Sequence, residues 1–210
     1  NLFELALTTA LSLLLLCCLI AVYIHDQLSV PVSSDSVFTI ESGSNLSVIT
    51  KRLTREDLLP VNVIAFKAFA LLTRDAGSIK AGQYQLKAGM PSQDVLALFR
   101  SGNVIRHRIT FPEGLRVKEW LARLQKAPYL DAKTTGMTRE DLGRSLDLTT
   151  ELEGSLFPDT YQYILGDSDL DILKLAIRKM KAVLEDEWEG RSMSPISTPF
   201  DALILASMIE

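Results

Sequence analysis

The sequence predicts an α+β protein that one N-terminal helix attaches to a membrane. Three observations lead to this fold class. The chain begins with a long uncharged apolar stretch, continues with a strand–helix–helix–strand succession of about 50 residues, and ends in a longer series of mixed elements. We therefore expect four parts in this order: an anchor at 1–25, a linker at 26–36, a small βααβ module at 37–102, and the first part of a mixed α/β domain at 103–210.

The stretch from residue 5 to residue 24, LALTTALSLLLLCCLIAVYI, predicts a transmembrane helix. Its roughly 20 residues, with a rise of about 1.5 Å each, match the ~30 Å hydrocarbon core of a bilayer. A cleaved signal peptide has a shorter apolar region and a small-residue cleavage site, and neither is visible in this sequence. We therefore expect an uncleaved anchor. Charge does not give its orientation, because no Lys or Arg precedes Lys51.

The next segment predicts a polar linker and a compact module. Residues 26–36, DQLSVPVSSDS, are rich in Ser and contain a Pro, which is typical of a tether. Residues 37–41 alternate like a strand, and Asn45 is placed to cap the helix that follows. Pro60 separates that helix from a second, more apolar one. We predict strands at 37–41 and 78–86 and helices at 46–56 and 61–72.

The remaining chain alternates helices with short strands. A helix is expected between Pro91 and Gly102, and the alternation of VIRHRITF (104–111) predicts a half-exposed strand. The clearest helix spans 169–189, because its apolar residues form one stripe. The closing helix begins around Thr198 and is apolar on almost every side, which predicts a core helix. Further helices are expected at 116–127 and around 138–146.

Composition and charge exclude several classes of function. The net charge is −4, the pI is about 5.3 and no block of Lys or Arg occurs, so nucleic acid is not an expected partner. Cys17 and Cys18 are adjacent inside the apolar stretch, where they cannot join distant parts of a fold. His25 and His107 are far apart in the sequence, so no metal site is expected. The sequence also lacks a Gly-rich phosphate loop and a nucleophilic serine elbow, and no cofactor is predicted.

Glu210 is the strongest candidate for acid–base chemistry. It follows an apolar run, and on a helix it shares one face with Leu203, Ala206 and Ser207. Two of these residues are small and leave room beside a carboxyl group. Burial among apolar neighbours raises the pKa of a carboxyl, which a general acid needs near neutral pH. The alternative is a glutamate on a solvated helix surface.

EGSLFPDTYQY, residues 153–163, is the second place where reactive groups gather. Glu153 and Asp159 supply carboxylate oxygens, and Tyr161 offers a ring for stacking on a sugar, so we expect these three to contact a substrate. The alternative is an ordinary loop before a helix. Metal, phosphate-loop and nucleophile patterns are absent, which leaves carboxylates as the reactive groups and indicates cleavage of a glycosidic bond.

The motifs together resemble a known family. EGSLFPDTYQY and LILASMIE, preceded by FPEGLRVKEWL and a single anchor, are similar to the endolytic murein transglycosylases, the YceG-like family also called MltG. The resemblance runs from the anchor to Glu210 and implies that Glu210 is the catalytic residue. It implies a single-pass protein of the bacterial inner membrane with its bulk in the periplasm. It further implies a LysM-like glycan-binding module at 37–102 and a catalytic domain from about residue 103.

The implied reaction is lytic transglycosylation of peptidoglycan within nascent glycan strands, which ends strand elongation. One carboxylic acid protonates the oxygen between N-acetylmuramic acid and N-acetylglucosamine. As carboxylate it then takes the proton of the 6-hydroxyl that closes a 1,6-anhydro ring, so one glutamate suffices where a conventional glycosidase needs two. If a second carboxylate takes part, Glu153 or Asp159 is the candidate.

The resemblance also sets the expected partners and the alternatives. Expected partners are glycan strands, the membrane and peptidoglycan synthases. Members of the family continue past the glutamate, so we expect this chain to be part of a longer protein and to be inactive by itself. Two other functions stay open, namely a non-catalytic, membrane-anchored peptidoglycan-binding protein and a hydrolase on the same scaffold.

Overall fold

A computed structural model describes residues 2–60, 62–72, 78–148, 151–190 and 196–209. The chain divides into two compact units, Asn1–Ile105 and Arg106–Glu210. The described residues form eight helices and two small antiparallel sheets, one sheet in each unit. This composition confirms the predicted mixture of helices and strands.

The N-terminal helix, α1, spans Leu2–Leu28 and contains the predicted anchor. Its segment from Ala6 to Leu28 is the one helix in the described part of the chain that is long and apolar enough to cross a membrane. A Leu-rich stretch without charges favours helix, and a helix with no polar face has no side to turn toward water. The predicted helix is thus confirmed in length and composition.

The first unit contains the predicted order of strand, helix, helix and strand. The two strands pair antiparallel, with Phe38 opposite Tyr84. The side chain of Asn45 caps the first helix by accepting the N–H of Val48 at 3.0 Å, as its position predicts. The resemblance of this unit to LysM modules stays a prediction. Its elements are β1 (Ser36–Ile40), α2 (Leu46–Arg55), α3 (Val63–Leu72), β2 (Gly82–Leu86) and α4 (Ser92–Ser101).

Aromatic rings fill the core of the first unit. Phe38, Phe66, Tyr84 and Phe99 are all buried, and the rings of Phe38 and Phe99 stack with centroids 5.8 Å apart. The hydroxyl of Tyr84 donates to the carbonyls of Lys80 at 2.7 Å and Phe99 at 3.2 Å, so its polar end is satisfied inside the core. The first unit therefore has a hydrophobic core of its own.

The predicted linker at 26–36 packs against the first unit over part of its length. Leu28 and Val32 are buried. The N–H of Val32 donates to the carbonyl of Met90 at 2.9 Å. The Ser-rich composition predicts a tether, but the apolar side chains within LSVPV gain more by entering the core than by staying in water. Packing thus begins before residue 37, where the sequence places the start of the module.

The second unit pairs one predicted strand with one that the sequence does not reveal. Strand β3, His107–Thr110, lies inside the strand predicted at 104–111. Its partner β4, Thr160–Tyr163, belongs to EGSLFPDTYQY, for which no strand is predicted. The strands are antiparallel, with Ile109 opposite Tyr161. The helices of this unit are α5 (Val117–Lys126), α6 (Arg139–Ser145), α7 (Asp169–Glu189) and α8 (Pro199–Ile209).

The core of the second unit forms between this sheet, α5 and α7. The rings of Phe111 and Trp120 lie parallel, with centroids 3.7 Å apart. Leu173 of α7 is fully buried. The Ser168 N–H donates to the Asp171 carboxylate at 2.9 Å, and the Ser168 hydroxyl accepts the Asp171 N–H at 3.4 Å, a capping box that begins α7 where the sequence predicts it.

Helix α8 forms where it is predicted, but the prediction that it is a core helix is wrong for its described residues. None of them is buried, and Phe200 and Met208 keep 53% and 70% of their surface exposed. Its partly covered residues, Pro199, Ala202 and Leu203, lie in its first half. An all-round apolar surface favours burial but does not determine which side of the helix finds neighbours.

Candidate active site

A cavity of about 700 Å³ lies beside α8 in the second unit, and we call it the α8 cavity. Its walls come from the loop that begins EGSLFP, from the start of α5, and from α7 and α8. All three sequence motifs quoted above therefore meet at one cavity. Its lining includes Arg116, Trp120, Glu153, Pro158, Leu203 and Ser207.

One side of α8 lines this cavity. Leu203, Ala206 and Ser207 all face it, and they stand seven, four and three positions before Glu210 in the sequence. Gly154 lies close to this side, because a Cβ added there would be 3.5 Å from Leu203 Cδ2. Gly154 also has a φ of +80°, which favours glycine. Glu210 itself lies outside the described residues.

Glu153 joins the EGSLFP loop to the start of α5. Its Oε1 accepts the N–H of Val117 at 3.2 Å. The first N–H groups of a helix lack partners within the helix and carry partial positive charge, so a carboxylate is stabilised there. Glu119 fills the neighbouring position by accepting the N–H of Arg116 at 2.8 Å. Glu153 therefore holds one wall of the α8 cavity in place.

Asp159 lies at the other end of this loop and pairs with α7. Its carboxylate accepts a hydrogen bond from the ammonium of Lys179 and the N–H of Thr160, the latter at 2.7 Å. These bonds, the one from Lys179 first, lower the pKa of Asp159 below its usual value. Asp159 therefore stays ionised near neutral pH, a state that suits a structural ion pair better than a proton donor.

Tyr161 lies inside the core of the second unit, not on a surface. It is 6% exposed, and its ring centroid is 6.1 Å from those of both Phe111 and Trp120. Its hydroxyl donates to the carbonyl of Phe157 at 2.6 Å. Burial raises the pKa of Tyr161 to about 12. Stacking of Tyr161 on a sugar stays a prediction, and this packing disfavours it because the ring faces are covered by other core side chains.

A second cavity, of about 830 Å³, lies between α5 and α6. It shares Val117 and Glu153 with the α8 cavity, so the contact between these two residues separates the two spaces. No residue of α5 is among the candidate site residues that the sequence predicts. The signal that points to it is FPEGLRVKEWL, which carries the family resemblance but contains no obvious catalytic residue.

The described residues offer no evident metal ligands. No group of three or more His, Cys, Asp or Glu in that part of the chain is arranged to hold a metal ion. Cys17 and Cys18 are exposed on α1. The His107 ring packs near the rings of Tyr129 and Tyr163, with centroids 4.8 and 5.4 Å away.

Comparison with known proteins identifies the family. The sequence profile of the YceG-like family matches residues 38–210. Among solved structures, the chain is similar to a yceG-like protein from Listeria monocytogenes, with 18% identity and a TM-score of 0.37. That match covers 75% of this chain and 57% of the Listeria chain. No curated protein matches the sequence. Because the family profile spans most of its length, this chain belongs to the YceG-like family.

Proposed function

We propose that this chain carries the catalytic glutamate of a lytic transglycosylase that cleaves peptidoglycan within its glycan strands. Membership in the YceG-like family supports the reaction class. The observation that carries the proposal is the side of α8 that lines the α8 cavity, since Leu203, Ala206 and Ser207 precede Glu210 by a helical spacing. Glu210 is then the acid and base, and the cavity is where the glycan lies.

The reaction needs one carboxyl group that works in two protonation states. The acid form of Glu210 gives its proton to the oxygen that links the two sugars, and this bond to the muramic carbon breaks. The carboxylate then accepts the proton of the 6-hydroxyl of the same muramic residue, whose oxygen bonds to that carbon. The proton count balances, no water is consumed, and Glu210 returns to its acid form. Such an acid needs its pKa raised toward neutral pH, and burial among apolar groups is the usual cause of such a rise.

The other carboxylates support a mechanism with a single acid. Asp159 is held ionised by Lys179, and Glu153 is engaged by the N–H of Val117. Glu153 lines the α8 cavity, so we propose that it contacts the glycan there, and it is the candidate if a second carboxylate takes part. Asp159 is proposed to fix the loop rather than to exchange protons.

The proposal includes a location. Helix α1 supports a single membrane span, and the substrate requires that the bulk of the protein lie in the periplasm at the inner membrane. Cleavage within nascent strands would set their length beside the synthases that extend them. These synthases are therefore the proposed protein partners.

The test is digestion of purified glycan strands by the full-length protein, followed by mass analysis of the new ends. We expect 1,6-anhydro ends from the unaltered protein. Glu210→Gln should lower turnover by at least about 100-fold, the usual contribution of a general acid–base group, while glycan binding persists. The matched control is Glu187→Gln on the exposed side of α7, which should leave turnover unchanged.

Each outcome decides between the functions. Near-normal turnover by the Glu210→Gln protein would remove the role proposed for that residue. Ordinary reducing ends would indicate a hydrolase. Binding without cleavage by the unaltered full-length protein would indicate a peptidoglycan-binding anchor.

A further inference from the structure

Helix α3 is apolar on two opposite sides. Its inner side enters the first core through Ala65, Phe66 and Ala70, which are all buried. Its outer side carries Ile64, Leu71 and Leu72, which keep 78%, 65% and 75% of their surface exposed. Positions i, i+7 and i+8 share one face of a helix, so these three side chains form an apolar patch on one side of α3. Soluble proteins seldom leave large contiguous apolar patches in water without a function for them.

The start of α3 lies beside the end of α1. Asn62, which immediately precedes α3, donates its N–H to Oε1 of Gln27 in the last turn of α1 at 3.1 Å. Leu28, the last residue of α1, is 4% exposed, because it packs into the first unit. In a chain anchored by α1, the first turn of α3 therefore lies where the anchor leaves the bilayer. Helices α1 and α3 also pack against each other, so the patch begins close to α1.

The charges on α3 fit the same location. Its sequence, VIAFKAFALL, contains no acidic residue, and Lys67 is its one charged residue. A Lys side chain lays its methylene groups along apolar surface and extends its ammonium toward water or lipid phosphates. A helix at a membrane interface combines an apolar face with such flanking basic groups.

We propose that the outer face of α3, formed by Ile64, Leu71 and Leu72, rests in the lipid interface beside α1. The proposal depends on the membrane anchoring proposed above. Two neighbouring membrane contacts, one spanning and one lying in the interface, hold the first unit at a fixed height and tilt. Held in this way, the first unit, which the family resemblance predicts to bind glycan, would meet strands close to the bilayer, where they emerge from synthesis.

The opposite end of the unit provides a matched control position. The N–H of Ser33 donates to the carbonyl of Leu58 at 3.0 Å, so the chain just after α2 lies beside the segment that follows α1. Helix α2 begins at Leu46, and its ten residues span about 15 Å. Val48, in its first turn, is 46% exposed and apolar like the patch, but it lies at the far end of α2 from that contact.

The experiment measures the depth of single nitroxide labels in full-length protein reconstituted into phospholipid nanodiscs. Labels are attached through Ile64→Cys, Leu71→Cys or Val48→Cys in a Cys17→Ser, Cys18→Ser background. Leu14→Cys in the middle of α1 is the reference for the bilayer interior. Accessibility to dissolved oxygen, which concentrates in lipid, is compared with accessibility to a water-soluble nickel complex.

We expect the labels at Ile64 and Leu71 to be more accessible to oxygen than to the nickel complex, like the label at Leu14. The label at Val48 should be more accessible to the nickel complex. A nickel-accessible label at either α3 position beside an oxygen-accessible Leu14 label would overturn the α3 proposal and leave the anchor intact. A nickel-accessible Leu14 label would overturn the anchor and the α3 proposal together. Spin–spin broadening at Leu71 would show that a second copy covers the patch, which also overturns the proposal.

Discussion

The two short apolar helices α3 and α8 have similar composition but differ in burial. Helix α3 has ten residues, and three of them are buried in the first core. Helix α8 has eleven residues, and none is buried among those the structure describes. The difference arises because α3 packs against both α1 and α2, whereas α8 meets the second unit along one side, mainly through α7. Apolar composition alone therefore does not determine the energetic role of a helix.

The largest expected effect comes from removing one aromatic ring from each helix. Phe66 of α3 is 1% exposed, and Phe200 of α8 is 53% exposed. Phe66→Ala should lower the free energy of unfolding of the first unit by about 3–5 kcal/mol through lost burial and a cavity. Phe200→Ala should change that of the second unit by only about 0.5 kcal/mol. Hydrogen exchange of the β1 amides measures the stability of the first unit, and that of the β3 amides measures the stability of the second. Equal losses of stability in the two variants would contradict the difference between α3 and α8.

A smaller effect is expected from the helix caps. Oδ1 of Asn62 accepts the N–H of Ile64 at 2.9 Å, and the Thr198 hydroxyl accepts the N–H of Asp201 at 3.1 Å. Asn62→Ala should destabilise the first unit by about 1 kcal/mol, whereas Thr198→Ala should fray α8 without changing protection of β3. Asn62→Asp keeps a capping oxygen and should restore most of the loss. If Thr198→Ala lowered the hydrogen-exchange protection of the β3 amides, α8 would be shown to stabilise the core of the second unit.

The smallest expected effect on stability concerns the ion pair between Asp159, in the loop that begins EGSLFP, and Lys179. The pKa of Asp159 is lowered by its hydrogen bond from Lys179, so the folded state releases this proton more readily than the unfolded chain. The resulting stabilisation is present above the unfolded pKa of about 3.9 and is lost as pH falls through the lower folded value. Asp159→Asn should flatten the acid side of the stability profile of the second unit, and Lys179→Gln should reproduce this. Melting measured between about pH 2 and pH 5 tests it, and an unchanged acid slope in both variants would refute a role for this pair.

The sequence predicts most helices of the fold but fewer of its long-range pairings. Asn45 as a cap and the stripe of α7 are local signals, since the partners lie within one or two turns. Strand β4 is missed because its four residues pair with β3, which lies about 50 positions earlier, and no local pattern shows that partner. The packing of Val32 against Met90 is missed for the same reason.

The candidate site was predictable as a set of segments but not as an arrangement. EGSLFPDTYQY and the closing helix were identified from the residues and the family resemblance. The sequence does not indicate that Asp159 pairs with Lys179 or that Tyr161 is buried in the core. A four-residue strand is too short for its alternation to be recognised, and the strand with which it pairs determines which of its side chains point into the core.

The sequence by itself determined the long apolar N-terminal helix, the bounds of the main helices, the caps and the three motifs that carry the resemblance to the YceG-like family. These features depend on residues close together in the chain, where spacing fixes geometry. Only the tertiary structure decided that the three motifs meet at the α8 cavity, that α3 buries one side and exposes the other, and that α8 lies at the edge of its unit. Burial depends on which distant segments fill the space around a helix, and the helix's own residues do not specify them.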